Sequence, residues 1–142
     1  MHFNPLVPEL HVGDFDRSLA FYRDNLGFEV VYLRLDERFA FLEREGAQLM
    51  IEQTVDPSRV WLAGDATHPF GRGINFQIRV SDVEALSASL SALGIPFFVP
   101  LEEKWYRRDD QLLGNRQFVI QDPDGYLLRF YSDIGTRPVM RA

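Results

Sequence analysis

The chain has 142 residues, 46% hydrophobic and 25% charged, with 15 basic against 21 acidic side chains and a formal charge of −6. Those values describe one globular domain able to bury a core without staples; the acidic balance argues against a nucleic-acid partner and favours cationic small molecules. With no cysteine there is no disulfide framework, thiolate nucleophile or cysteine zinc site, and no apolar run approaches the roughly 18 residues of a membrane span or resembles a secretory signal, so a cytoplasmic protein without a membrane partner is expected.

Leu6 to Val12 reads as a strand with Leu10 and Val12 on one face and Val7, Glu9 and His11 on the other; Pro8 cannot donate to a ladder. Asp14 caps a helix in which Phe15, Leu19, Tyr22 and Leu26 recur at helical spacing, and Gly27 ends it in a left-handed conformation. Three extended segments follow, Phe28 to Leu35, Phe39 to Glu43 and Ala47 to Glu52, the last two joined by a Glu45-Gly46 turn. In the last of them Gln48, Met50 and Glu52 oppose Leu49 and Ile51. Gln53 to Arg72 holds Pro57, Gly64, Pro69 and Gly71 around Trp61 and Phe70, an irregular crossover long enough to carry function.

The order then begins again. Ile74 to Val80 is a strand with Asn75, Gln77 and Arg79 on one face, and Ser81 with Glu84 forms a capping box for a helix built on Val83, Leu86, Leu90 and Leu93, closed by Gly94. Pro96 to Pro100 is a short extended piece, and Leu101 to Asn115 is a charged loop containing Trp105 and Tyr106. Arg116 to Tyr131 is a hairpin around Asp122-Pro123-Asp124-Gly125, with Leu127, Arg129 and Tyr131 opposite Leu128 and Phe130. Strand, helix and three strands thus occur twice in a single domain spanning 1–142: module one at about 3–53, a crossover at about 54–72 and module two at about 73–133. Each module can bury its aliphatic face under its own helix. The opposite face collects Glu9, His11, Phe39, Phe41, Glu52, Asn75, Arg79 and Arg129, a mixture of charge, amide and ring that suits either a ligand cleft or a wet surface of mutually paired charges.

The segments VPELHVGDFDRSLAFYRDNLGFEV and DPDGYLLRFY, within the doubled βαβββ plan, resemble the vicinal-oxygen-chelate superfamily, which includes glyoxalase I, fosfomycin-resistance enzymes, extradiol dioxygenases and bleomycin-resistance proteins. The likeness covers nearly the whole chain. It is strongest to the bleomycin-resistance branch, through the VPxL opening, NLGFEV, and the WYRR and GNRQFVIQDPDGYLLRF segments. The resemblance implies an α+β fold in which two βαβββ modules form a curved mixed sheet around a cleft, helices outside, in a homodimer that shares or exchanges elements between chains. The metalloenzymes of the superfamily ligate a divalent ion from four strands; by motif those positions here are Val7, Glu52, Asn75 and Arg129, of which only Glu52 could serve. The expectation is therefore no metal, no cofactor and no catalytic residue. What the resemblance then implies is a non-catalytic protein that sequesters a cationic glycopeptide antibiotic of the bleomycin type, or a similar aromatic small molecule. Phe39, Phe41, Trp61 and Trp105 or Tyr106 would stack on it; Glu52, Glu102, Glu103, Asp109 and Asp110 would meet its charge, and Asn75 and Arg129 complete the candidate ligand-binding set. The alternative is a metal-dependent glyoxalase- or dioxygenase-type enzyme using Glu9, His11 and Glu52. Two features depart from the branch: Leu113-Gly114 stands where some relatives carry Trp-Gly, and Arg79 with Arg129 suits an anionic or neutral ligand unless Glu9 and Glu52 neutralise them.

Overall fold

Alternating apolar residues and paired caps produce two four-stranded sheets in a computed structural model that describes residues 2–59 and 61–140. The chain divides into two compact units: Met1–Arg72 with Asp122–Tyr126, and Gly73–Gln121 with Leu127–Ala142.

Unit one contains β1 (Glu9–His11), α1 (Phe15–Ala20), β2 (Glu29–Arg34), β3 (Phe39–Arg44) and β4 (Ala47–Glu52) in the order β1-β4-β3-β2, with β1 parallel to β4 and the other pairs antiparallel. Asp14 caps α1, its side chain accepting from Arg17 N at 3.1 Å. Phe15, Leu19, Tyr22 and Leu26 all face the core as their spacing requires, but the helix expected through Leu26 widens after Ala20 into a π-turn, Phe21–Asn25, in which Leu26 N reaches back to Phe21 O at 3.1 Å. Gly27 follows at φ +75°, the left-handed exit that a residue without Cβ takes freely. The first strand is shorter than Leu6 to Val12. Leu6 lies outside it, 83% exposed, because Pro8 offers no N–H; only its carbonyl joins the ladder, accepting from Met50 N at 2.9 Å.

Unit two repeats the plan with β5 (Asn75–Arg79), α2 (Val83–Ala92), β6 (Phe97–Arg108), β7 (Gln111–Gln121) and β8 (Leu127–Pro138), ordered β5-β8-β7-β6 with β5 parallel to β8. Helix α2 lies on β7 and β8, and Ile78, Phe118, Ile120, Leu128 and Phe130 are buried on their sheet. Two expectations fail here. Leu101 to Asn115 is not a loop but the paired ends of β6 and β7, turning at Asp109-Asp110 with Asp109 at φ 56°. Its charges sit on an edge strand, where they block pairing with further chains, so polarity there does not mean irregular backbone. The α2 cap is Asp82, which accepts from Ala85 N at 3.0 Å, in place of the expected Ser81 and Glu84 box. Asp82→Ala is expected to cost about 1 kcal/mol in a urea unfolding measurement.

The Asp122–Tyr126 turn that groups with unit one closes as expected, Gly125 N donating to Asp122 O at 3.0 Å with Gly125 at φ +97°. Its acids are also partners for the segments on either side of α1 and for α1 itself. Asp124 Oδ1 accepts from Gly13 N at 3.1 Å and from Arg17 at 3.3 Å, while Tyr22 donates its hydroxyl proton to Asp122 Oδ2 at 2.7 Å.

Candidate functional site

In unit one, parallel pairing sets His11 beside Glu52 and Glu9 beside Met50, and the antiparallel β3–β4 register sets Phe39 beside Glu52 and Phe41 beside Met50. Side-chain alternation therefore gathers these six residues on one face of the sheet, as strand parity requires. Phe39 and Phe41 form the floor. They are only 1% and 4% exposed, because Phe3 meets Phe41 edge-on, Tyr32 stacks on Phe41 with centroids 5.3 Å apart, and the Arg34 guanidinium lies 3.9 Å over Phe39. Neither ring presents an open plane.

Beside these rings is a cavity of about 370 Å³ lined by Glu9, Arg34, Glu52, Arg59 and Trp61, with Glu37 and Asp56 adding acidic groups. A second cavity of about 160 Å³ shares Glu9, Glu52, Arg59 and Trp61 and adds His11 and Leu62. Trp61 is 83% exposed, which for so large an apolar side chain leaves a stacking plane open. The carboxyl of Glu9 is pushed up to about 7, foremost by desolvation and then by a hydrogen bond to Glu52 and repulsion from it, with Arg34 pulling the other way. Arg34 is itself engaged, its Nε 2.8 Å from Glu37. Among the described residues neither Glu9 nor Glu52 has a cationic side chain within 4.0 Å. Two adjacent carboxylates, one holding its proton near neutrality, beside an open indole can grip a cation with an aromatic or apolar body.

Of the four expected metal positions, Val7 and Glu52 lie in unit one and Asn75 and Arg129 in unit two. An isopropyl group has no donor atom and a guanidinium carries a fixed positive charge, so this set does not fit a divalent ion. Among the described residues no three His, Asp or Glu side chains are placed to hold one, Glu9, His11 and Glu52 included. The His11 ring instead stacks on Phe70 with centroids 5.9 Å apart.

In unit two, Trp105 and Tyr106 are neighbours in β6 and so point to opposite faces. Trp105 pairs across the strands with Gly114, where a Cβ would come within 2.7 Å of its ring. Trp105 therefore lies beside Gly114 across the strands, though not in sequence. Its Nε1 donates to Glu103 at 3.1 Å, and the Arg137 guanidinium lies 4.0 Å over its ring. The Tyr106 hydroxyl accepts from Gln117 Nε2 at 2.7 Å and from Arg129 Nη1 at 3.4 Å. Glu102 accepts from Gln117 as well, at 3.2 Å. A cavity of about 440 Å³ is lined by Gln77, Tyr106, Asn115 and Tyr131, with Asp133 and Arg108. Asn75 is exposed on β5, and Asp109 and Asp110 form the β6–β7 turn. The arginines at these rings, Arg34, Arg59 and Arg137, were not among the expected site residues; only the Arg59-x-Trp61 spacing hinted at one of them.

A sequence profile of the Glyoxalase/Bleomycin resistance protein/Dioxygenase superfamily matches residues 2–130. A protein of Geobacillus stearothermophilus named bleomycin resistance protein is 26% identical over 137 residues, covering 90% of this chain and 96% of its own length. Staphylococcus aureus has a protein of the same name with the same figures. Among solved structures, TioX from Micromonospora sp. ML1 matches with a TM-score of 0.70 at 26% identity, over 92% of this chain and 100% of TioX. Lactoylglutathione lyase from Agrobacterium tumefaciens shares the fold, with a TM-score of 0.58 at 24% identity over 89% of this chain and 92% of the lyase.

Proposed function

Because the chain belongs to the glyoxalase/bleomycin resistance protein/dioxygenase superfamily, we propose that it is a small-molecule binder that sequesters a cationic glycopeptide antibiotic of the bleomycin type without transforming it. The observation that carries this reading is the cavity joining the exposed Trp61 to the Glu9 and Glu52 carboxylates, neither of which has a cationic side chain within 4.0 Å among the described residues. The names of the curated relatives supply the ligand class. A flat heteroaromatic would lie on the indole and a cationic tail would meet the carboxylates, and exclusion of water would strengthen both contacts. Resistance then follows by mass action: protein in excess of the dissociation constant lowers free drug.

Ionisation links this binding to pH. A cation favours the charged form of Glu9, so capture expels the proton that Glu9 holds up to about 7. Affinity measured by calorimetry is expected to rise from pH 6 to pH 8, and Glu9→Gln to abolish that rise.

The competing reading is a metal-dependent enzyme of the same superfamily, in which Glu9, His11 and Glu52, on one sheet face but not grouped as ligands in this structure, would have to close on the ion. Elemental analysis after supplementation with divalent ions separates the two: sequestration expects metal far below one equivalent per chain, and about one equivalent would favour the enzyme. A cytoplasmic homodimer completes the proposal. No helix among the described residues is long and apolar enough to cross a membrane, and sedimentation at twice the chain mass is the expected result.

A further inference from the structure

We propose that Arg59 is a built-in competitor for the cation that the unit-one cavity captures, so that ligand enters by displacing the Arg59 guanidinium from the Trp61 ring. The inference rests on the binding reading above and deepens it, because a competing charge sets which ligands can win.

Arg59 lines both cavities of unit one, and its Cζ lies 5.8 Å from the Trp61 ring centroid. It lies against the indole that a ligand cation would need, in a cavity that Glu9 and Glu52 also line. Its backbone is pinned while its charged end is not. Arg59 N donates to Asp56 O at 2.9 Å, and Asp56 Oδ1 accepts from Ser58 N at 3.0 Å and Ser58 Oγ at 2.7 Å, which fixes the 3-10 turn Pro57–Arg59. The guanidinium has no carboxylate within 4.0 Å among the described residues. It can swing away with no ion pair within 4.0 Å broken and no change in the turn, giving up only a longer-range attraction to Asp56. Arg34, the other cation of the cavity, is held by Glu37 at 2.8 Å and lies 3.9 Å over Phe39, so it belongs to the floor.

Two positive charges cannot share one indole face without mutual repulsion. A simple amine exchanges one cation for another and gains little. A ligand with several charges, or with a charge joined to an aromatic plane, adds contacts that Arg59 does not make. The site therefore favours polycationic or aromatic cations over small monoamines.

The test follows the Trp61 indole N–H resonance, assigned with Trp61→Phe, during titration of the native protein and Arg59→Gln with benzamidine, a planar aromatic cation, and with benzyl alcohol, its neutral counterpart. Arg59 is exposed, so both forms are expected to share one thermal midpoint. Arg59→Gln should raise benzamidine affinity about threefold to tenfold and benzyl alcohol affinity less than about twofold. Benzamidine affinity that is unchanged or weakened, or an indole resonance that responds in neither form, overturns the proposal. A bleomycin arm keeps the two claims apart: a benzamidine effect with no drug binding leaves the exchange standing and removes the drug reading, whereas tight drug binding with unchanged benzamidine affinity does the reverse.

Discussion

Asp122→Ala is expected to remove about 3–5 kcal/mol of stability, a large part of what a domain of this size possesses. Asp122 is 4% exposed and accepts three hydrogen bonds, from the Tyr22 hydroxyl at 2.7 Å and from the backbone N–H groups of Asp124 and Tyr126 at 2.9 Å each. Alanine would strand all three donors, the phenol of Tyr22 in a place with no solvent exposure. Tyr22→Phe removes only one donor and should cost about 1–2 kcal/mol. The same carboxyl makes stability depend on pH. Burial is the foremost cause raising Asp122 from 3.8 to about 6, against the opposing pull of its Tyr22 and backbone hydrogen bonds. The folded state thus holds this proton more tightly than the unfolded state. The associated stability, about 3 kcal/mol for a shift of this size, is fully present below pH about 4 and is lost as pH rises through about 6. Glu9 contributes with the same sign over an overlapping range, from 4.5 to about 7, so the Asp122 share is isolated as the difference between native protein and Asp122→Asn in urea unfolding at pH 4 and pH 7. A native protein with the same pH dependence as Asp122→Asn would show that this carboxyl does not titrate in the range.

Glu52→Ala and Trp61→Ala are each expected to weaken binding of the cationic ligand about 10-fold to 100-fold, the range for one charge-assisted contact or one desolvated cation–π stack. Their effects on folding should be small, since Trp61 is 83% exposed and Glu52 is half-buried at the end of β4. The two carboxylates are not independent. Glu52 helps hold the Glu9 proton, so its removal returns Glu9 toward an ordinary carboxylate and restores part of the lost attraction. Glu9→Gln combined with Glu52→Ala should therefore lose more than the sum of the single losses. Additive losses in calorimetry would show that the pair does not share a proton.

Much of this architecture was legible in the residues. The recurrence at Phe15, Leu19, Tyr22 and Leu26, the left-handed exits at Gly27 and Gly94, and the alternation in β4, β5 and β8 each report local geometry, and together they define the doubled βαβββ plan. Strand parity also placed Glu9, His11 and Glu52 on one face. What was not legible depends on partners distant in sequence. Phe39 and Phe41 look like available rings until Phe3 and Tyr32 are seen to cover them. The β6–β7 extension was masked by charge, because an edge strand carries the same polar residues as a loop. Trp105 appeared displaced from Gly114 because cross-strand register is invisible along the chain. Ser81 and Asp82 both fit a cap, and only the first turn of α2 decides between them.

The most direct test of the sequestration account is a bleomycin binding isotherm on chelator-treated, metal-free protein, with the drug recovered afterwards and examined for chemical change. The account predicts saturable binding at micromolar affinity or tighter, with the drug returned intact. An absence of binding heat at micromolar drug, or recovery of a modified drug, would contradict it.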